Sequence, residues 1–216
     1  MALKQEEFNE LISEWKLLPR SFYERSDVVA ITKELLGKIV VTNFDNTLTA
    51  GRIAEAEAYN GPFDKAAHSY NNRRTKRTEV MFSNGGVAYV YLCYGIHQMF
   101  NIVTNKPGIP TAILIRALEP VAGVEAMLQR LNKNIHGFDL TRGPGNVAKA
   151  LGLHIQHSGM SLQSNELYIA EDGRCYQEDE IAATARIGVD YAEEDALLPY
   201  RFIVKGNKYV SGKKFV

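Results

Sequence analysis

Glu55 and Glu57 stand two residues apart in "RIAEAEAYNG" (52–61), with Tyr59 next in the same rhythm and Ala54, Ala56 and Ala58 between them. In a β-strand, side chains alternate between faces. One face then carries Ile53, both carboxylates and Tyr59, while the other is almost bare alanine. Alanine is a poor strand former, so propensity does not explain the pattern. A bare face lets a neighbour pack closely, whereas an acidic face needs water, a partner or a chemical task. Arg116 lies in "TAILIRAL" (111–118), where every neighbour is apolar or small. A buried arginine requires a carboxylate, and Glu55 or Glu57 can supply it. A glutamate held beside arginine stays ionised and can act as general base on a water. Taken alone, the two acids also fit a solvated strand edge.

Aromatic residues add a second feature. Tyr89 and Tyr91 share one face of "GVAYVYLCYG" (86–95), and Tyr94 falls on the opposite parity beside Gly95. Such a stripe fits a core. It also fits a pocket that sandwiches a planar ring, as flipped nucleobases are held. His68, in "DKAAHSYNNRR", lies between the acidic segment and "RRTKR" (73–77). Arg73, Arg74, Lys76 and Arg77 suit phosphate contacts. His97, His136, His154 and His157 have no metal-ligand spacing, and neither do Cys93 and Cys175.

The elements that must position these groups read as α+β. Lys+Arg and Asp+Glu both total 25 in 216 residues, so any basic face is local rather than global. Length and composition suit one domain over 1–216, reduced and without structural metal. No run is long enough to span a bilayer, and the N-terminus is no signal peptide. The spacing predicts an N-terminal helical segment within 1–25. A second helix follows from Ser26 or Asp27 to Gly37. Strands are predicted at 38–44, 48–59, 86–94, 97–105 and 111–118, a loop at 60–84, and helices over 119–132 and in "RGPGNVAKALGL" (142–153). Short strands close the chain near 166–170, 182–188 and 200–205, with a final pair around "GNKYV" (206–210). Strands adjoin strands, so the sheet is antiparallel.

"RIAEAEAYNGPFDKAAHS", "RRTKRTEVMF", "AYVYLCYGIHQMFNIV", "ILIRALEP" and "GPGNVAKALGL" occur in that order, and "ARIGVDYAEEDALLPYRFIVKGNKYVS" follows. Together they resemble the alkyladenine (3-methyladenine) DNA glycosylase family over residues 27–212. The resemblance implies a curved antiparallel sheet flanked by helices, with a protruding hairpin that inserts into DNA. It implies a monofunctional base-excision repair enzyme that flips 3-methyladenine, 7-methylguanine, hypoxanthine or etheno-adenine out of duplex DNA. The N-glycosidic bond would be hydrolysed without a cofactor or metal, leaving an abasic site. Glu57 takes the general-base position, and Arg116 and the Ile187 backbone carbonyl would hold the water. Tyr59, His68 and Tyr91 would wall the base pocket, and Asn101 would crowd the 2-amino group of guanine. Tyr94 would wedge into the duplex, and Arg73 and Arg77 would lie on phosphates. Double-stranded DNA is the implied partner of a monomer that has no membrane association and no obligate protein partner. A bacterial, cytoplasmic protein, nucleoid-associated through DNA, fits that picture.

The chain departs from its mammalian relatives at Lys76, at Ile96-His97-Gln98 and in a longer loop within 101–116. Two other classes compete. A glycoside hydrolase would use Glu55 and Glu57 as its acid pair but leaves "RRTKR" unexplained. A non-catalytic lesion- or nucleic-acid-binding relative leaves Glu57 without a task.

Overall fold

The structure is a computed structural model that describes residues 14–212. A two-residue strand, β1 (Lys16–Leu17), and a single turn, α1 (Arg20–Tyr23), come first. The expected helical segment over 1–25 is therefore helical only at Arg20–Tyr23 among the described residues, and residues 1–13 lie outside them. The Leu18 amide donates to the Ile169 carbonyl at 2.9 Å, and Pro19 opens the turn that follows. Helix α2 (Val28–Leu35) starts at its predicted cap, where Asp27 accepts from the Ala30 amide at 2.9 Å. Val28, Ile31, Thr32 and Leu35 form its buried stripe.

Strands β2 (Ile39–Phe44) and β3 (Thr47–Tyr59) turn over Asp45 and Asn46, both at positive φ (51° and 57°). That geometry matches the twist of the flanking strands. Strands β4 (Val87–Cys93) and β5 (His97–Thr104) turn at Tyr94 and Gly95, with φ of 49° and 74°. The intervening 60–84 segment is a chain of loops and short 3-10 turns. Strand β6 (Thr111–Ala122) runs past its predicted end, and helix α3 (Val124–Leu131) starts five residues later than 119. Glu119 precedes a proline and so avoids the helical region. β5 pairs with β6 only through Thr111–Leu114, and a strand with an open edge tolerates Pro120. Gly123, at φ 72°, makes the switch to helix, since any Cβ there would strike the Leu48 carbonyl.

Helix α4 (Pro144–Ala150) and strands β7 (Leu167–Glu171), β8 (Ile181–Thr184) and β9 (Arg201–Val204) complete the fold. The strand predicted over 182–188 stops at Thr184, because Arg186 turns inward and Gly188 bends the chain at φ 76°. The pair predicted around "GNKYV" does not form. Gly206 turns at φ 71°, and the Ser211 amide donates to the Glu55 carboxylate instead of to a strand.

The sheet order is β1-β7-β2-β3-β6-β5-β4, with β9 bound to both β3 and β8, and every pairing is antiparallel. On one edge of β3 the neighbour changes. β2 pairs with Thr47–Arg52, and β9 takes over at Glu55–Glu57. At this changeover the β3–β6 register slips once on each strand, leaving Ala54 and Arg116 unpaired. Bulges bend a strand and re-aim its side chains, and the sheet curls here.

Parity then sorts the residues. Ala56, Ala58, Ala88, Val90, Phe100, Ile102, Ile113 and Ile115 join the core with Ile31 and Leu35 of α2, Met127 of α3 and Val147 of α4. Glu57, Tyr59, Tyr89, Tyr91, Asn101, Leu114 and Arg116 alternate with them and project from the other face. The bulge disturbs the expected partition at one point: Ile53 goes to the core, and Ala54 packs with Ile203 and Val210. No helix among the described residues is long and apolar enough to cross a membrane.

Candidate active site

The non-core face of β3–β6, the 60–82 loops and the 187–191 strap enclose a cavity of about 450 Å³, within the range of small-molecule sites. Its lining includes Tyr59, His68, Arg77, Tyr89, Tyr91, Tyr94, Asn101, Arg116 and Ile187. Eight of the ten residues given a role by the resemblance therefore meet here: Tyr59, His68, Arg77, Tyr91, Tyr94, Asn101, Arg116 and Ile187. Glu57 and Arg73 lie nearby.

Glu57 is fully buried, one side chain behind the wall. Its Oε1 accepts from the Ile187 amide at 2.9 Å, and its Oε2 accepts from the Tyr59 hydroxyl at 2.9 Å and from Arg116 Nη1 at 3.4 Å. All three partners donate, so the arrangement is built for a carboxylate. Burial nonetheless raises the Glu57 pKa above its ordinary value, outweighing the lowering by Arg116, the Ile187 amide and Tyr59. The sequence argument had Arg116 decide this balance, but desolvation of a completely buried acid is the larger effect. The Ile187 N–H contact to Glu57 is an addition to the expected role, which gave the Ile187 carbonyl to the water.

Glu55, also fully buried, is consumed by structure. It accepts from Arg116 Nε (2.9 Å), Arg201 Nε (2.7 Å), the Ser211 amide (2.6 Å) and the Ser211 hydroxyl (2.8 Å). Two carboxylates and two guanidiniums thus balance. Among the described residues no acid lines the cavity, so an acid pair facing a sugar is not present. No group of three or more His, Cys, Asp or Glu side chains is placed to hold a metal ion among them either.

Much of the cavity wall is aromatic, with Arg77 and Arg116 as its charged members. His68 meets Tyr91 edge-on (4.7 Å, 80°), and Tyr91 stacks with Tyr89 (5.3 Å, 29°). His68 Nδ1 shares a hydrogen bond with the Tyr89 hydroxyl at 2.9 Å. Burial, with Arg77 and Arg73 nearby, lowers the His68 pKa to about 4. Burial pushes Tyr89 up to about 12 and raises Tyr59 and Tyr91 as well. Asn101 is pinned by its amide nitrogen to the carbonyls of Tyr89 (3.2 Å) and Met99 (3.3 Å).

Tyr94 stands 91% exposed at the hairpin tip, with Ile96 exposed beside it. A bulky residue at positive φ is uncommon, and such strain tends to persist where a side chain has a task. Of the basic run, Arg74 forms a two-pronged pair with Glu79 (2.8 and 2.6 Å). Arg73, Lys76 and Arg77 are exposed and form no ion pair among the described residues. Arg77 also lies 6.0 Å from the Tyr91 ring.

The sequence reading missed Arg186, Asp64, Arg201 and Ser211. Arg186 binds Asp64 through both Nη atoms (2.5 and 2.8 Å) and the Ala58 carbonyl (2.9 Å). The signal was present, since Arg186 and Arg201 sit in apolar, strand-like stretches just as Arg116 does.

Comparison with known proteins gives the family of the chain. Residues 21–208 match the profile of the methylpurine-DNA glycosylase (MPG) family. A Bacillus cereus (strain G9842) protein provisionally named 3-methyladenine DNA glycosylase is 48% identical over 203 residues, covering 90% of this chain and 98% of that protein. A Chlamydia felis protein with the same provisional name is 46% identical over 193 residues, covering 89% and 98% respectively. On the extent of these matches, the chain belongs to the methylpurine-DNA glycosylase family.

Proposed function

We propose that this protein is a monofunctional DNA glycosylase that excises damaged purines from duplex DNA. Its substrates are 3-methyladenine, 7-methylguanine, hypoxanthine and etheno-adenine, and its product is an abasic site. The observation that carries the reading is Glu57: a buried carboxylate, fixed by three donors, directly behind an aromatic slot open to one flat ligand.

In this reading the target nucleotide leaves the stack and its base enters between His68, Tyr59 and Tyr91. A neutral His68 suits this task, because an imidazolium would repel the cationic alkylated purines that leave most readily. Neutral lesions need more assistance, so base, water and hydrogen bonds to the leaving group must all be in place. The attacking water enters at the longest contact of the carboxylate, the 3.4 Å approach of Arg116 Nη1 to Glu57 Oε2. Glu57 takes its proton as the N-glycosidic bond breaks, while Arg116 and the Ile187 carbonyl orient it. Asn101 fills the space that the 2-amino group of normal guanine would need. Tyr94 occupies the gap in the duplex, and Arg73 and Arg77 rest on phosphates. Every role is filled within one chain, which acts as a monomer on DNA.

The test is release of free base. The protein should liberate 3-methyladenine from alkylated DNA and produce alkali-labile sites in a duplex carrying one hypoxanthine. Binding of such a duplex with no base release from either substrate would leave a lesion-binding relative instead.

A further inference from the structure

We propose that Arg186, held by Asp64, is a positioning residue that sets the orientation and ionisation of Glu57. The inference rests on Glu57 being the general base. Arg186 is 5% exposed and adjoins two of the three supports of that carboxylate, the Ile187 amide and Tyr59. It immediately precedes Ile187, whose amide is bonded to Glu57 Oε1 at 2.9 Å. Its Nη1 donates to the carbonyl of Ala58, the residue between Glu57 and Tyr59, at 2.9 Å. Its guanidinium carbon lies 4.8 Å from the centre of the Tyr59 ring, and the Tyr59 hydroxyl donates to Glu57 Oε2 at 2.9 Å. Two of the three donors to Glu57 therefore depend on where this one side chain sits.

Asp64 fixes that position by a two-pronged contact, and Arg186 Nη2 also donates to the Asp195 carbonyl at 3.1 Å. The same pair ties the segment bearing His68 to the strap bearing Ile187. An arginine fork suits the task because its donors keep a fixed geometry. The charged and titratable groups facing Glu57 are Arg116, Glu55, Tyr59, Tyr91 and Arg186 itself. Arg116 is committed to Glu55 as well, so Arg186 is the cation whose loss leaves the Glu55 network untouched. Without Arg186, Glu57 loses a favourable field and a fixed Ile187 amide, and both losses favour its protonated form.

The experiment is single-turnover release of hypoxanthine from a duplex oligonucleotide between pH 5.5 and 8.5. Wild type, Arg186→Met, Arg186→Lys, Asp64→Asn and Glu57→Gln are compared, with thermal unfolding of each. Arg186→Met should lower the rate at pH 8 about a hundredfold through misplacement of the base. Its deficit at pH 6 should exceed that at pH 8 by about threefold or more, since a raised Glu57 protonates earlier. Arg186→Lys keeps the charge and should remove this pH-dependent part. Asp64→Asn loosens the arginine and should also slow release. A folded Arg186→Met with wild-type rates, or with one deficit at every pH, overturns the proposal. Should Arg186→Met fail to fold, a folded Asp64→Asn at the wild-type rate overturns it equally. Glu57→Gln separates the two ideas: an active Glu57→Gln removes the base assignment itself, whereas an inactive one leaves the Arg186 variants to decide.

Discussion

Replacing Glu55 and Glu57 singly by glutamine should give opposite phenotypes, although the two acids lie two residues apart on one strand. Glu55 accepts four hydrogen bonds, two from the buried guanidiniums of Arg116 and Arg201. In Glu55→Gln the amide nitrogen faces these donors, Arg201 loses its carboxylate partner, and Arg116 keeps only the longer 3.4 Å contact to Glu57. Removing one partner of a buried pair costs about 3–5 kcal/mol. For a chain of this size each kcal/mol moves Tm by about 2–4 °C, so Tm should fall by about 6–20 °C. Glu57 differs because burial raises its pKa, so its ionised form opposes folding at neutral pH. A group with a raised folded pKa contributes most below its unfolded value and loses that contribution as pH rises. Glu57→Gln removes this penalty, and its Tm at pH 7.5 should stay within about 4 °C of wild type or rise. Arg116 keeps Glu55 as a partner in that variant. The assay is thermal unfolding followed by circular dichroism at pH 7.5 for all three proteins. A Glu55→Gln as stable as wild type, or a Glu57→Gln destabilised as far as Glu55→Gln, would refute the division of labour argued here.

The neutral His68 has a signature in stability. Its folded pKa is lowered to about 4, so its contribution is present above the ordinary value of 6.5 and is lost as pH falls through 4. The Tm difference between pH 7.5 and 4.5 should therefore shrink in His68→Gln, and an unchanged difference would show that His68 protonates freely. Tyr94→Gly should leave Tm unchanged or slightly raised, because it removes an exposed residue from positive φ. It should nonetheless slow base release from duplex DNA about tenfold to a hundredfold, the scale of one lost stacking contact; an unaltered rate would remove the wedge from the account. Arg73→Ala and Arg77→Ala should each lower the slope of log Kd against log salt by about one while weakening binding to all sequences alike. A slope equal to wild type would mean that neither side chain meets a phosphate.

Period-two alternation made the site face visible in the sequence. It put Glu57 and Tyr59 on one face of their strand and Tyr89 and Tyr91 on one face of theirs, and it gave Arg116 a carboxylate partner in Glu55 or Glu57, whereas the joining of these faces into one pocket came from the family resemblance. The Tyr-Gly dipeptide likewise announced the hairpin tip. The register shifts near Ala54 and Arg116 were hidden, because a bulge depends on which neighbours a strand meets, and β3 exchanges β2 for β9 at that point. The division of tasks between Glu55 and Glu57 was hidden for the same reason, since Ser211 and Arg201 reach Glu55 from far along the chain. Arg186 was missed although the argument applied to Arg116 applied to it equally. The helix expected from Glu119 begins only at Val124, because Pro120 holds Glu119 out of the helical region and the strand runs on to Ala122.

The central claim is that Glu57 performs chemistry rather than holding the fold together. Its most direct test is base release from a hypoxanthine-containing duplex by wild type and Glu57→Gln, under single-turnover conditions with the protein in excess and binding measured in parallel. The account predicts release by wild type, and binding of the same duplex by Glu57→Gln with release lowered by at least about a hundredfold. Release by a folded Glu57→Gln at a rate near wild type would contradict it.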